Sequence, residues 1–358
     1  MNSLHSLLKL LNSGSSARYV LATLIGAEGH AYRKAGAVML LGENGWSAGQ
    51  LSPGCVESDL HGQAESVRNS GITTLVEYDM RTEDDLSWGE AVGCGGRLQV
   101  LLEPVQGNLR RVLRAMEEAL DLGGSLKLQR SCSQDGTVSE YRLMTEGGQY
   151  ARFGRGSEQC PDYRLTLIYE PNPRLIVIGA GQDAQPVVQL AACSGFSVIV
   201  VDRREGLLTA RDFPLAERLL TGSVDEVIPA LGLRSDDRVL IMSHQMRQDL
   251  EWLGRMEEGP PRYIGLLGSK RRCGSLLEKV PRLLRDARVH APVGLGIGAE
   301  GAYQIAVSIV GELITDVRLA REERQLLREP LRIIPDRKRS SMYRHDGLSG
   351  LHLLAQGV

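Results

Sequence analysis

A glycine-rich segment with the spacing of a dinucleotide-binding turn lies in the middle of the chain. Gly179, Gly181 and Ala184 fit the pattern G-x-G-x-x-G/A, with Asp183 inside it. In that pattern the first glycine permits a tight turn, the second lets a phosphate approach the backbone, and the third small residue packs a helix against a sheet. Asp202 follows about twenty residues later, where an acid accepts hydrogen bonds from a ribose. The segment predicts a dinucleotide-type site and leaves open whether NAD(P) occupies it.

Four further polar residues follow predicted strands of the same region. Arg203 suits a 2′-phosphate, another anion or a solvated loop. His244 and His290 lie near strand ends, where open α/β sheets bind ligands, although a structural role is more common for a single histidine. Ser269 precedes the basic run Lys270–Arg272 at a predicted helix start, which suits a phosphate, a carboxylate or plain solvation. All four are candidate cofactor-binding residues.

Two cysteines occur in glycine-containing loops of the amino-terminal half. Cys55 follows Gly54 at a predicted helix start, where amides and the helix dipole favour a thiolate. Cys94 precedes Gly95 and Gly96, which leave room for a ligand to meet backbone amides. A single cysteine is more often a small buried filler. Because the arrangement occurs twice in one half, we favour a role in ligand binding.

These residues require two units of different organisation. Residues 1–170 contain several short strand-like runs and three predicted helices, of which the first is short and amphipathic. We expect a mixed α/β unit in which the last strands extend or edge one sheet. Glu170-Pro171-Asn172-Pro173 is the expected hinge, because its two prolines interrupt both helix and ladder.

The carboxyl-terminal unit alternates strands and helices. Residues 174–322 therefore predict a Rossmann-like, doubly wound parallel sheet, so that the whole chain belongs to the α/β class. Its long last helix carries an apolar stripe that includes Ile314 and Val317 and is expected to face the core. Residues 323–358 are predicted as a charged tail that is mobile or docks on a partner.

Composition limits the classes of function. A chain of 358 residues that is 42% hydrophobic and 24% charged has the profile of two soluble globular domains. A net charge of -2 and an aromatic content of 4% give no reason to expect nucleic acid or a membrane surface as partner. The six cysteines show no CxxC spacing, which favours free thiols in the cytoplasm.

Taken together, these segments resemble the XdhC/CoxI family, the accessory factors of xanthine dehydrogenase and related molybdenum hydroxylases. The similar segments are YRKAGAVMLL, LSPGCVESDL, GCGGRLQVLLEP, GAGQDAQPVVQLA, VVDRRE, YIGLLGSKRR and VHAPVGLGIGAE. The first of them adds Arg33 to the candidate cofactor-binding residues. Pro53, His30 and Gln182 stand where a glycine, a serine and a histidine are usual. The combination is specific, because an unrelated dehydrogenase has no reason to carry the cysteine loops.

The resemblance implies a maturation chaperone rather than a catalyst. Such a protein binds molybdenum cofactor, as molybdopterin or its dinucleotide form, holds it during sulfuration and delivers it to a xanthine dehydrogenase-type apo-enzyme. A cysteine desulfurase is an expected partner and a homodimer the expected assembly; where sulfuration occurs stays open. Thiolates are soft ligands, so we expect Cys55 and Cys94 to meet the molybdenum. The Rossmann half would take the nucleotide part or a regulatory dinucleotide, in a cleft shared with the cysteine loops.

Two other functions account for part of the sequence. An NAD(P)-dependent oxidoreductase explains residues 174–204 but gives the cysteine loops no role, and the chain has no Tyr-x-x-x-Lys pair. A non-catalytic sensor that binds a dinucleotide also fits the glycine turn. A metal hydrolase fits poorly, because the sequence has no HExxH.

Overall fold

The fold consists of two halves, each with its own hydrophobic cores. The computed structural model describes residues 3–12, 18–29, 31–54, 56–80, 96–133, 137–145, 147–154, 163–257 and 259–326. Two core clusters draw only on residues before the Pro171–Pro173 hinge, and two draw only on residues after it. Among the described residues, each side of the hinge thus has core clusters of its own.

An antiparallel sheet forms the first layer of the amino-terminal half. Its five strands are β1 (Val20–Glu28), β2 (Val38–Leu41), β3 (Ser47–Gly49), β4 (Thr74–Asp79) and β5 (Arg97–Pro104), in the order β3-β2-β1-β5-β4. Helices α1 (Leu4–Asn12) and α3 (Gly107–Asp121) pack on one face, and α2 (Glu57–Ser70) packs on the other. Both faces are buried, so the central strands are mostly apolar on both sides, with Thr23 and Glu103 as buried polar exceptions.

A second sheet, separate from the first, follows α3. Its strands are β6 (Leu126–Cys132), β7 (Val138–Thr145), β8 (Gly148–Gly154) and β9 (Tyr163–Tyr169), in the order β8-β7-β6-β9. The expectation that these strands extend or edge the first sheet was wrong. They share a core with α1 and α3, because the alternating apolar residues of β6 face those helices. The mostly exposed β8 lacks such alternation and was not predicted.

The carboxyl-terminal half is the predicted doubly wound parallel sheet. Its strands are β10 (Arg174–Ile178), β11 (Ser197–Asp202), β12 (Arg218–Thr221), β13 (Arg238–Ile241), β14 (Tyr263–Leu266) and β15 (Val289–His290). The accompanying helices are α4 (Ala184–Cys193), α5 (Val224–Leu231), α6 (Met246–Met256), α7 (Lys270–Leu277) and α8 (Gly301–Leu326). The spatial order β12-β11-β10-β13-β14-β15 reverses direction between β10 and β13, and such a switch point is where open sheets bind ligands.

The last helix differs from its prediction in two respects. The helix continues to Leu326. It therefore includes Glu323, which the sequence analysis assigned to the tail and which pairs with Arg262. Ile314 is 48% exposed rather than buried, because α8 faces the core with the row that contains Ile309 and Val317. Residues 327–358 lie outside the described ranges. Within the described part of the chain, no helix combines the length and apolar character needed to cross a membrane.

Candidate functional site

The carboxyl edge of the parallel sheet gathers most of the predicted ligand-binding residues. Gly179 follows β10, Asp202 ends β11, His244 follows β13, Ser269 follows β14 and His290 ends β15. All six strands of this sheet are parallel, so these residues lie along one edge. The glycine turn and His244 border the switch point itself.

The glycine turn has the close backbone packing that its sequence predicts. Gly179 has a φ of 116°, and a Cβ built on it would lie 2.5 Å from the carbonyl oxygen of Met242. A side chain at this position would therefore collide with the backbone that follows β13. Ala184 is fully buried at the start of α4, which holds that helix against the sheet.

Asp202 holds the glycine turn in place from the neighbouring strand. It is fully buried; its Oδ2 accepts the Ala180 amide at 2.8 Å, and its Oδ1 accepts the Arg204 amide at 2.9 Å. The Arg204 guanidinium also donates to both oxygens. Burial alone would raise the pKa of Asp202, but these bonds hold that pKa below its usual value. Recognition of a ribose by Asp202 stays a prediction that requires Arg204 to turn away.

Asp183 and His244 face each other across the switch point. The His244 Nε2 and Asp183 Oδ2 atoms are 2.6 Å apart, and both side chains are partly exposed. His244 has a φ of 60°, a left-handed conformation that is uncommon outside glycine. The pair joins the loop after β10 to the loop after β13.

Ser269 and its basic run divide between structure and solvent. The Ser269 hydroxyl caps α7 by accepting the Arg272 amide at 3.2 Å. The Arg272 guanidinium turns inward to the buried Asp249, at 2.5 Å, whereas Lys270 and Arg271 are exposed. Part of the predicted anion-binding cluster therefore fixes α7 to α6.

His290 belongs to a network that sequence reasoning missed. Its ring stacks on that of Tyr263 at a centroid distance of 4.2 Å, and its Nδ1 lies 2.5 Å from Glu312 Oε1. Glu312 also accepts the Tyr263 hydroxyl at 3.0 Å and the Gly294 amide. Burial and the nearby Glu312 raise the pKa of Tyr263, which keeps its phenol a donor. A glutamate among the apolar residues of α8 was the only signal in the sequence.

The Arg203 side chain pairs with an acid of α6, whereas its neighbour Arg204 pairs with Asp202. Its guanidinium donates to Glu251 on α6 at 2.6 Å, and the pair is exposed. An exposed pair of this kind breaks at little cost, so Arg203 remains available to an anion.

In the amino-terminal half, the loop before α2 is shaped by a serine and a glutamate. Glu57 Oε1 accepts the Ser52 amide at 2.8 Å and the Leu51 amide at 3.3 Å, and its Oε2 accepts the Ser52 hydroxyl. Ser52 Oγ in turn accepts the Gly54 amide at 3.1 Å. Gly54 has a φ of 130°, and none of the described residues outside its chain neighbours has an atom within 4 Å of the position of a Cβ. Neither Ser52 nor Glu57 was singled out from the sequence.

Three connections lie at the same end of the strands of the five-stranded sheet. Arg33 lies between β1 and β2, Gly54 lies between β3 and α2, and buried Gly96 precedes β5. These strands are antiparallel to their neighbours, so the connections meet at one end. A bond of 2.7 Å from the Tyr78 hydroxyl to Asp59 ties α2 to β4 at this end.

Cys55, Cys94 and Gly95, together with His30, lie outside the described residues. Their predicted roles stay predictions. Among the residues that the structure does describe, no group of three or more histidines, cysteines and acids is arranged to hold a metal ion.

The two halves meet at the edge of the parallel sheet opposite the glycine turn. The contacts include Lys9 Nζ to Glu217 Oε1 at 2.8 Å, Ser3 Oγ to Asn172 Oδ1 at 2.6 Å and Arg234 Nη2 to the carbonyl oxygen of Asp121 at 3.1 Å. Glu217, Asn172 and Arg234 each precede a parallel strand. A strand of five residues spans roughly 15 Å, so these contacts and the turn lie at opposite ends of the sheet. These contacts do not form the expected shared cleft within one chain.

Comparison with known proteins shows the family to which this chain is related. The model of the XdhC Rossmann domain matches residues 175–313, and that of the XdhC and CoxI family matches residues 14–79. A Bacillus subtilis protein, named as a probable subunit of xanthine dehydrogenase, is 35% identical over 330 residues, 88% of this chain and 97% of its own length. The chain belongs to the XdhC and CoxI family.

Two other relatives agree with this membership. A crystal structure from Bacillus halodurans, described as a xanthine dehydrogenase, has 37% identity and a TM-score of 0.77; the match covers 88% of this chain and 96% of that one. The Escherichia coli molybdenum cofactor insertion chaperone PaoD is 27% identical over 320 residues, 87% of each chain. The family and the Rossmann fold expected from the sequence are thus confirmed.

Proposed function

We propose that this protein binds molybdenum cofactor, protects it during sulfuration and delivers it to a xanthine dehydrogenase-type molybdenum hydroxylase. The observation that carries the proposal is the family membership across both halves, together with the similarity to the chaperone PaoD over most of both chains. The apo-enzyme and a cysteine desulfurase are the proposed partners. A homodimer is the proposed assembly.

The amino-terminal half is the proposed site of the metal end. Gly54 and Gly96, which flank the two cysteine segments, belong to connections at one end of the five-stranded sheet. Thiolates supplied there by Cys55 and Cys94 are soft ligands that suit molybdenum. The hydrogen bonds from the Ser52 and Gly54 amides leave little freedom to the backbone that leads into Cys55.

The Rossmann half is the proposed site of the phosphate or nucleotide end. Gly179 and Gly181 form the turn that a pyrophosphate would approach, and α4 begins beside them. In one chain this edge lies opposite the contacts with the other half. The two ends of one cofactor would therefore be held by different copies in a dimer, or the Rossmann half would bind a separate regulatory dinucleotide.

Activation of an apo-hydroxylase tests this function. Cells that lack their own accessory factor would be supplied with the wild type, with Cys55→Ser, or with Cys193→Ser, which alters an exposed thiol at the end of α4. We expect the wild type and Cys193→Ser to restore hydroxylase activity equally. Cys55→Ser should lose roughly tenfold or more, as expected for a lost metal ligand.

Two results would contradict parts of the proposal. Full activation by Cys55→Ser would remove that cysteine from the cofactor site. If the wild type itself failed to raise hydroxylase activity, the delivery function would be wrong.

A further inference from the structure

The Asp183 carboxylate lies over the glycine that a phosphate would approach. Its Oδ1 is 2.5 Å from the position that a Cβ on Gly181 would occupy, and its Oδ2 is 2.6 Å from His244 Nε2. The carboxylate thus bridges the loop after β10 and the loop after β13. An anion of the protein itself occupies the space above the dinucleotide turn.

Helix capping does not explain this position. Asp183 is the N-cap residue of α4, yet its side chain makes no capping hydrogen bond. An N-cap side chain normally accepts from the second or third residue of the helix, and the third residue here is Pro186, which has no amide hydrogen. The side chain of Asp183 is instead committed to His244.

A phosphate and this carboxylate cannot share the turn without a cost in electrostatic energy. Two unit charges 4 Å apart repel by about 1 kcal/mol in water and by more where water is excluded. A nucleotide that binds along Gly179–Gly181 must therefore move the Asp183 side chain aside. Once released, the His244 imidazole is left beside the incoming phosphate as a hydrogen-bond donor.

We propose that Asp183 is an internal competitor that sets the affinity of the glycine turn for nucleoside diphosphates, and that His244 exchanges Asp183 for the phosphate when one binds. This inference rests on the nucleotide-binding role proposed above for the Rossmann half. In this inference Asp183 lowers the affinity of the glycine turn for nucleoside diphosphates, whereas the sequence analysis expected Asp183 to bind the cofactor. Low affinity suits a carrier that must release its cargo.

The test is calorimetric titration of the full-length protein with ADP in buffer that contains a chelator. Asp183→Asn keeps the shape of the side chain and removes its charge, so the dissociation constant for ADP should fall roughly tenfold or more. Adding His244→Asn, since asparagine tolerates the left-handed backbone, should raise it again roughly tenfold. Asp225→Asn is the matched control, because Asp225 is an exposed aspartate of α5 whose ion-pair partner is Arg255 of α6.

The outcomes separate this inference from the proposed function. An unchanged or higher dissociation constant in both Asp183→Asn and Asp183→Ser would overturn the role of Asp183. Equal affinities of Asp183→Asn and the double variant would overturn the exchange by His244. No heat from ADP with any variant would overturn the inference and the nucleotide site together. Molybdopterin measured in the same preparations reports separately on the carrier function.

Discussion

At the residue scale, two carboxylates shape the candidate sites by accepting backbone amides. Glu57 gathers the amides that lead into the Cys55 segment, and Asp202 gathers those of the glycine turn. Each carboxylate accepts hydrogen bonds from backbone amides that would otherwise stay unpaired in a partly buried loop. The sequence drew attention to Asp202 because of its spacing from the glycines. It did not reveal Glu57, since the partners of a side chain depend on how a loop folds.

Replacing Glu57 should loosen the loop before α2. Glu57→Ala leaves the Leu51 and Ser52 amides without their acceptor, so we expect the free energy of unfolding to fall by about 1–3 kcal/mol. Molybdopterin retention should fall as well. Chemical denaturation and analysis of bound pterin measure the two effects. Glu65→Ala changes an exposed residue of the same helix and should alter neither; equal behaviour of the two variants would refute the assigned role of Glu57.

The pH dependence of stability should reflect Asp202. Its pKa is lower in the folded state, so its contribution is present above the unfolded pKa of about 4 and is lost as pH falls through the folded value. Arg204→Ala should raise the folded-state pKa of Asp202, so that the loss of stability on acidification begins at a higher pH. Because the Arg204 side chain is about half exposed, we expect Arg204→Ala to lower the free energy of unfolding at neutral pH by only about 1–2 kcal/mol.

Denaturation at a series of pH values measures this effect. The control is Arg203→Ala, which removes an exposed pair with Glu251 and should cost less than about 1 kcal/mol without shifting the pH profile. Identical pH profiles for Arg204→Ala and the wild type would contradict the account of Asp202.

At the element scale, the sequence predicted the parallel sheet well and the antiparallel half less well. Strand, glycine turn, helix and strand follow one another within Arg174–Asp202, so local pattern was sufficient there. The second antiparallel sheet was assigned to the first, because alternation shows that a strand has a buried face but does not show what covers it. The close approach of the turn after β10 to the backbone of Met242, after β13, requires a glycine at position 179.

Gly179→Ala should therefore destabilise the Rossmann half. The positive φ and the overlap with the Met242 carbonyl should cost about 3 kcal/mol or more. The Cβ of Gly254→Ala, in α6, would meet no atom of the rest of the described structure within 4 Å, so this variant should instead be about 0.5–1 kcal/mol more stable. Thermal unfolding followed by circular dichroism distinguishes the two signs. A Gly179→Ala variant as stable as the wild type would show that the turn is not packed as described.

At the scale of the whole molecule, the halves meet through polar contacts while their cores stay separate. Among the described residues, no buried cluster draws on both sides of the hinge, and pairs that cross it, such as Lys9 with Glu217, are partly exposed. Spacing in the sequence predicted the hinge and both sets of candidate residues. It could not show which edge of the Rossmann sheet meets the other half, because that depends on contacts between residues more than 100 positions apart, such as Arg234 and Asp121.

A fragment of residues 174–326 should consequently fold on its own. Its parallel sheet and α8 retain all members of the two carboxyl-terminal clusters. We expect a cooperative thermal transition and a helical circular dichroism spectrum, with modest destabilisation from the lost contacts to α1. A fragment without a cooperative transition would mean that the amino-terminal half is part of its core.

The central claim, that this protein carries molybdenum cofactor, is tested most directly by the molybdopterin content of the protein purified from a molybdenum-replete host. The account predicts molybdopterin in the wild type in a fixed ratio to protein, and its loss in Cys55→Ser but not in Cys193→Ser. Protein that contained NAD or NADP and no molybdopterin would contradict it.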